Sequence, residues 1–148
     1  MSQGSRYNKD LSSVEIAKRI RADIKAAQKA GELPAMTVSV RYERVTHSSA
    51  IRIYVRKWEG QIWNVARARE DVQNPSAWSR IDNLSRKARS ILDSLKDIAN
   101  AYNYDKSDIS SDYFNVNFYL TVDFDYELKN ASQKATEATV RAAYAVAA

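Results

Sequence analysis

The sequence contains no cysteine and a single histidine, His47. Without cysteine there is no disulfide framework, no thiolate nucleophile and no zinc–thiolate site. A hydrolase triad would have to combine His47 with Ser48 or Ser49, and sequence neighbours in a loop seldom reach triad geometry. We therefore expect His47 to be an exposed loop residue. We expect no catalytic residues and predict that the protein is not an enzyme.

Long apolar runs are also missing, and glycine and proline are scarce, with 3 and 2 residues. No apolar run approaches the roughly 18 residues that a membrane span needs, and no signal peptide opens the chain. No glycine-rich phosphate loop is present. The 45% apolar content excludes general disorder, and 148 residues can bury a real core. We expect one cytoplasmic domain with no membrane contact and no small-molecule cofactor.

The net charge of +5 is distributed unevenly along the chain. Residues 1–69 carry 14 Lys or Arg against 6 Asp or Glu, and residues 70–104 carry 5 against 5. Residues 105–148 carry 4 against 7. A basic region of this kind can meet an anionic partner, so the N-terminal half is where we expect one to bind.

Three stretches alternate between apolar and polar residues, at 36–44, 50–58 and 113–125. In the last of them Phe114, Phe118 and Phe124 share one side with other apolar residues. Alternation with period two predicts strands with one buried and one wet face. A sheet with one wet face is usually antiparallel, with helices covering the other face. We predict a mainly antiparallel three-stranded sheet in which 46–49 connects the first two strands as a hairpin.

The remaining segments predict helices. Ser12 and Glu15 form a capping box, and the helix that follows should end near Gly31 and Pro34. Residues 62–72 suggest a short helix, a long helix should run from Pro75 to about residue 103, and residues 129–148 form an alanine-rich one. The predicted order is α-β-β-(short α)-α-β-α, with the helices on one face. We expect residues 1–10 to be a mobile tail and 11–148 to be a single α+β domain.

The hairpin carries the strongest functional signal, because its non-core face is basic and aromatic. The candidate partner-binding residues are Arg41, Arg44, Arg52, Tyr54, Arg56, Lys57 and Trp58, followed by Arg67 and Arg69. Guanidinium groups pair with phosphates and aromatic rings stack on unpaired bases. If the third strand lies alongside, Asn115, Asn117 and Tyr119 extend this platform. The alternative is a solvated face on which Arg52 or Arg56 pairs with Asp123 or Asp125.

Acidic residues follow in the C-terminal third, and they raise the question of a metal site. They are Asp105, Asp108, Asp112, Asp123 and Asp125. Carboxylates bind hard cations, but no EF-hand spacing accompanies them. We expect a solvated acidic surface and no metal site.

Several motifs match a known pattern, an opening helix of the type IRxxLK followed by a hairpin of the type FSVR…SIxVxW. The matching residues are Ile20, Arg21, Ile24 and Lys25 in the helix, and 38–41, Ser49 and 51–60 in the hairpin. The later stretch SDYFNVNFYLTVDF is similar to a strand of the type DYFDVNFYV. On these motifs the chain resembles one of the large polyvalent protein-associated domains of phages and conjugative elements. That family usually continues W-x-D-G-P, whereas residues 59–61 here lack the proline.

The resemblance implies an α+β fold and a phage or mobile-element origin, and it supplies no enzymatic residues. The compartment would then be the cytoplasm of the host cell. Our leading hypothesis is a small non-enzymatic protein that binds nucleic acid through the hairpin. The alternative is an inhibitor of a host defence complex, similar to an anti-CRISPR protein, that binds an acidic protein surface. A basic patch suits either partner, so the sequence leaves both open.

Overall fold

The structure, a computed structural model, describes residues 2–46, 48–66, 83–107 and 116–147. Its helices and strands alternate along the chain in an α+β arrangement. The elements are β1 (Ser2–Gln3), α1 (Ser13–Lys29), β2 (Thr37–Val45), β3 (Ser48–Lys57), α2 (Arg86–Asn100), β4 (Tyr104–Asp105), β5 (Tyr119–Phe124) and α3 (Tyr126–Ala147). The predicted α+β class is confirmed. The described part of the predicted short helix is 62–66, in which Val65 and Ala66 are helical while Trp63 instead forms an isolated bridge with Leu84.

The main sheet has the strand order β2-β3-β5, so β3 is its central strand. β2 and β3 form the predicted antiparallel hairpin, but β5 runs parallel to β3. The sheet is therefore mixed, and the prediction of a mainly antiparallel sheet has to be corrected. Parallel strands need a long crossover connection. Here the crossover includes α2, which the chain forms between β3 and β5.

The register of this sheet separates two faces. Ile51, Ile53 and Val55 of β3 are fully buried and lie opposite Leu120, Val122 and Phe124 of β5. Phe118, just before β5, is 1% exposed. The predicted inward side of the third strand is thus confirmed for its described residues, while Phe114 lies outside them. The strand itself begins only at Tyr119.

Helix α1 begins and ends as its sequence predicts. The Ser12 side chain accepts a hydrogen bond from the backbone N–H of Glu15 at 3.2 Å, which satisfies one of the free N–H groups of the first turn. Gly31 has a φ of 79°, a conformation that costs little without a Cβ, and it follows the last turn. The apolar stripe of Ile16, Ile20 and Ile24 packs into the core.

Helix α2 begins later than predicted. Its N-cap is Ser85, whose Oγ accepts from the N–H of Ala88 at 3.1 Å. Leu84 forms an isolated bridge with Trp63, so the chain before the cap is extended and cannot belong to a helix running from Pro75. Pro75 and the rest of 67–82 lie outside the described residues. One face of α2 buries Ala88, Ile91, Leu92, Leu95 and Ala99 against the sheet.

Residues 2–7, part of the stretch that the sequence analysis interpreted as a mobile tail, lie across the C-terminal end of α2. We call this segment the N-terminal strap. β1 pairs with β4, the N–H of Gly4 donates to the carbonyl of Asn103 at 2.7 Å, and the N–H of Arg6 donates to the carbonyl of Ala101 at 2.7 Å. A Cβ on Gly4 would collide with backbone oxygens at the end of α2, so glycine permits this approach. The strap thus supplies a partner for the carbonyl of Ala101, the C-cap of α2, which a helix end leaves unpaired, and for that of Asn103 just beyond it.

In the described part of the chain β2 and β5 are the edge strands of the sheet, since each pairs only with β3. Arg21 on α1 donates hydrogen bonds from Nε and Nη2 to the carbonyl oxygen of Val40. Exposed edge carbonyls attract other strands, and a charged side chain placed on one discourages that pairing.

Helix α3 is joined to the segment that follows β3. Trp63, 7% exposed, donates its indole N–H to the carbonyl of Lys129, and Gln61 donates to the hydroxyl of Thr136 at 3.0 Å. Val140 is fully buried and Thr136 is 4% exposed. Among described residues, no helix is long and apolar enough to cross a membrane.

Candidate functional site

The side of the sheet that faces away from the core brings together four of the predicted binding residues. We call it the outer face. It consists of Ser39, Arg41 and Glu43 on β2, Arg52, Tyr54 and Arg56 on β3, and Tyr119, Thr121 and Asp123 on β5. Of the candidates proposed from sequence, the outer face includes Arg41, Arg52, Tyr54 and Arg56, as period-two alternation requires. Tyr119 joins them, as expected if the third strand lies alongside.

Arg41 and Arg52 lie directly opposite each other on neighbouring strands, with Thr121 next in the row. Like charges in this position repel, and a counter-charge must offset them. Glu43 is that counter-charge for Arg52, since Oε2 lies 2.7 Å from the guanidinium Nε. This hydrogen bond raises the pKa of Arg52 above its ordinary value. Arg41 is exposed and makes no ion pair with any residue of the described ranges.

Two further ion pairs partly neutralise the outer face. Arg56 Nη1 lies 2.8 Å from Asp125 Oδ1, and Lys129 Nζ lies 2.8 Å from Asp123 Oδ2. The alternative expectation of Arg–Asp pairing is therefore confirmed for Arg56, while Arg52 pairs with Glu43 instead. Both pairs are partly buried, so each holds its cation in place on the face.

Two tyrosines supply aromatic surface to the outer face. Tyr54 lies between Ser39 and Asp123 in the register, and the Arg56 guanidinium carbon is 5.9 Å from the centre of its ring. Tyr119 lies opposite Ala50 at the other end of the sheet and is 46% exposed. A base can stack on an exposed ring of this kind, whatever its identity.

Other predicted binding residues are not on the outer face. Arg44 and Lys57 are exposed near the ends of their strands, at positions with the opposite orientation. Trp58 stacks on Phe124 with a centroid distance of 5.7 Å, so it packs against the core. Asn117 donates to the carbonyl of Tyr102 at 3.1 Å in the loop before β5. The remaining predicted residues, Arg67, Arg69 and Asn115, lie outside the described residues, as does His47.

The acidic residues that were considered as cation ligands have other partners. Asp123 and Asp125 form the ion pairs above, and Asp105 accepts a hydrogen bond from the N–H of Ser107 at 2.9 Å. That bond lowers the pKa of Asp105, which keeps its carboxylate ionised. No group of three or more potential metal ligands occurs within the described ranges. Asp108 and Asp112 are not among them.

Two cavities flank the N-terminal strap, and the sequence analysis did not anticipate either. One, of about 470 Å³, lies between α1 and α2 over small side chains such as Ala27 and Ala30. At its edge Arg6 Nη1 is 2.9 Å from Asp23 Oδ2, and the hydroxyl of Tyr102 donates to the same carboxylate oxygen. The pKa of Tyr102 is raised, chiefly by burial and then by the bond to Asp23.

The other cavity, of about 390 Å³, lies between the strap, the end of α2 and the start of β5. Tyr119 belongs both to its wall and to the outer face. Asn100 and Asn103, which also line it, carried no sequence signal beyond being polar residues at a helix end. The one available signal was Gly4, because a glycine within a polar segment can mark a close backbone approach.

Comparisons with known proteins leave the family open. No family model matches the chain, and no curated protein or solved structure matches it either. The resemblance to polyvalent protein-associated domains therefore stays a prediction from the quoted motifs.

Proposed function

We propose that the protein is a non-enzymatic binding protein whose outer face holds single-stranded nucleic acid. The observation that carries this proposal is the opposed pair Arg41 and Arg52, in which Glu43 pairs with Arg52 and Arg41 has no ion-pair partner among the described residues. A phosphate between the two guanidinium groups would relieve their repulsion and accept charge-assisted hydrogen bonds. Tyr54 and Tyr119 lie on the same face, where they offer bases a stacking surface.

The resemblance noted from sequence supports a phage or mobile-element origin for such a protein. In that setting the protein would work in the cytoplasm of the host cell. No cofactor or metal has a part in this proposal.

A second candidate is a protein-binding inhibitor of a host defence complex. The observation that favours it is the alternation of charge on and beside the outer face, where Glu43, Asp123 and Asp125 accompany the basic side chains. Such a surface complements a protein that presents both signs of charge, whereas the phosphates of a nucleic acid are attracted only to the cations. Competition by single strands separates the two candidates.

The test is a salt titration of binding to a fluorescently labelled single strand of about 12 nucleotides, followed by anisotropy. Arg41→Ala should weaken binding and reduce the salt slope by about 0.7, the counterion term of one phosphate contact on a single strand. Arg89→Ala is the matched control, because it removes the same charge from an exposed position on α2, on the opposite side of the sheet. It should leave the slope unchanged.

A variant that removes a carboxylate should change the binding affinity in the opposite direction. Glu43→Gln removes the ion-pair partner of Arg52, so it should strengthen binding several-fold and steepen the salt slope. A solvated face with no nucleic-acid role would show no binding at about 50 mM salt for any variant, and that result would overturn the proposal. Binding to a protein target that single strands do not displace would favour the inhibitor.

A further inference from the structure

The cavity of about 390 Å³ beside the outer face has the size and the chemistry of a small-molecule subsite. Its walls come from four parts of the chain that the N-terminal strap brings together. Gln3 and Gly4 belong to the strap, Asn100 and Asn103 to the end of α2 and the residues after it, Asp105 to β4, and Tyr119 to β5.

The polar groups of this cavity favour a ligand that donates hydrogen bonds. Asp105 is an ionised acceptor, because the hydrogen bond that the N–H of Ser107 donates at 2.9 Å favours the charged carboxylate and also fixes its position. The cavity also lies at the C-terminal end of α2, where the helix dipole adds partial negative charge. A phosphate is disfavoured in such a place. The amides of Gln3 and Asn100 can both donate and accept.

One neighbouring amide is fully engaged and makes the site rigid. Asn103 Oδ1 accepts from the N–H groups of Tyr104 and Phe118, and its Nδ2 donates to the carbonyl of Phe118 at 3.1 Å. This side chain ties the end of α2 to the start of β5. The two walls of the cavity are therefore held at a fixed separation, which is what a preformed subsite requires.

Tyr119 connects the cavity to the row of opposed arginines. It is two residues from Thr121, which shares a row with Arg41 and Arg52, so the rows are about 7 Å apart. Because β5 also lies one strand spacing of about 4.8 Å beyond β3, the Tyr119 backbone is about 8 Å from that of Arg52 and about 12 Å from that of Arg41, a span that an arginine side chain, a nucleotide and a tyrosine ring can bridge. A phosphate at the arginine pair would place a base against the Tyr119 ring, at the mouth of the cavity.

We infer that this cavity is a base-binding subsite that takes a nucleobase with an exocyclic amino group, which adenine, cytosine and guanine have and thymine lacks, from a strand bound on the outer face. This inference rests on the proposed function. The amino group donates to Asp105 or to the Asn100 carbonyl oxygen, and the base stacks on Tyr119. Thymine presents a carbonyl oxygen at the corresponding position, which Asp105 repels.

The experiment compares homopolymers of deoxyadenosine, deoxycytidine and deoxythymidine of equal length by anisotropy. The adenine or the cytosine strand should bind about tenfold more tightly than the thymine strand. Asn100→Ala and Asp105→Asn should reduce that preference to a few-fold or less and leave thymine-strand binding and the salt slope unchanged. Arg41→Ala should do the reverse, weakening all three strands equally. Lys134→Ala, exposed on α3, is the control that changes neither.

A second measurement separates failure of this inference from failure of the proposed function. Free adenosine, cytidine and thymidine carry no phosphate, so ligand-observed NMR reports on the cavity independently of the arginine row. Saturation transfer to adenosine or cytidine that disappears in Asp105→Asn supports the subsite, even if no strand binds. If the three strands bind equally and the nucleosides give no signal, the subsite is refuted while strand binding stands. If neither strands nor nucleosides bind, both proposals fall.

Discussion

Asn103 offers the sharpest test of how the fold is held together, because one side chain joins three backbone groups. Its Oδ1 accepts from the N–H groups of Tyr104 at 3.0 Å and Phe118 at 3.2 Å, and its Nδ2 donates to the carbonyl of Phe118 at 3.1 Å. Phe118 is 1% exposed and leads directly into β5. Asn103→Ala removes all three of these bonds to the backbone, together with the bond that Nδ2 donates to Asn100 Oδ1 at 3.3 Å, while leaving the backbone intact.

The size of the effect follows from the hydrogen bonds that are lost. Each contributes about 0.5–1.5 kcal/mol net, and backbone groups left unpaired beside a buried residue add to the cost. We therefore expect Asn103→Ala to lower the free energy of unfolding by about 2–4 kcal/mol. A domain of this size is stable by roughly 5–15 kcal/mol, so the loss is a large fraction of the whole.

Urea unfolding followed by circular dichroism measures this loss, and amide hydrogen exchange locates it. The exchange of the Phe118 amide should accelerate more than that of Ile53 on β3, because the lost bonds lie at the start of β5. Asn100→Ala is the matched control. Its side chain is exposed and accepts one bond, from Asn103 at 3.3 Å, so we expect a change within about 0.5 kcal/mol. Equal midpoints for the two variants would refute the role assigned to Asn103.

Three other outcomes are expected. Phe118→Ala should cost roughly 3–5 kcal/mol, measured by the same unfolding assay, and an unchanged midpoint would mean that the faces of β5 are assigned wrongly. Ser12→Ala should cost about 1 kcal/mol through loss of the α1 cap, whereas Ser12→Asp should retain most of it. Folding raises the pKa of Tyr102. The stability that this shift contributes is fully present below the ordinary tyrosine pKa of 10.0, and it is lost as the pH rises through the raised value. A titration of stability above pH 10.0 should therefore fall more steeply for the parent than for Tyr102→Phe, and identical curves would contradict this.

The faces of the strands were predictable from sequence, but the direction of β5 was not. Alternation in 113–125 assigns Phe118 and Phe124 to the core whichever way the strand runs. Parallel pairing depends instead on the crossover that carries the chain back to the same end of the sheet. Nothing in the alternation encodes that connection, so the usual association of a wet face with antiparallel pairing led to the wrong topology.

Local sequence signals predicted the first residue of a helix correctly only where the signal was strong. Ser12 and Glu15 gave the start of α1 because both members of the capping box are present. The cap of α2, Ser85, has Ala88 three residues on and so lacks the acidic partner. Pro75 was taken as the start instead, since proline often occupies the first position of a helix.

The sequence predicted which basic residues lie on the outer face, but it did not predict which acidic residues pair with them. Arg41, Arg52 and Arg56 share a face because of their spacing alone. That Glu43 rather than an aspartate pairs with Arg52 depends on the β2–β3 register, which a single residue of slip would change. The cavity beside Tyr119 was out of reach, because the strap that forms one wall binds through backbone groups of Gly4 and Arg6, and backbone bonds leave no compositional trace.

The parallel pairing of β3 and β5 has a consequence for how the chain is made. During synthesis α1, β2 and β3 emerge first, and their contacts are local enough to form at once. β3 must then wait for its second neighbour until the whole crossover has followed, with one edge of the central strand open. Closing so long a loop is slow, and an unpaired hydrophobic strand is prone to meet the wrong partner meanwhile. We therefore expect the arginines along β3 to have a second effect, because charged side chains beside a hydrophobic strand discourage association of chains in which β5 has not yet paired.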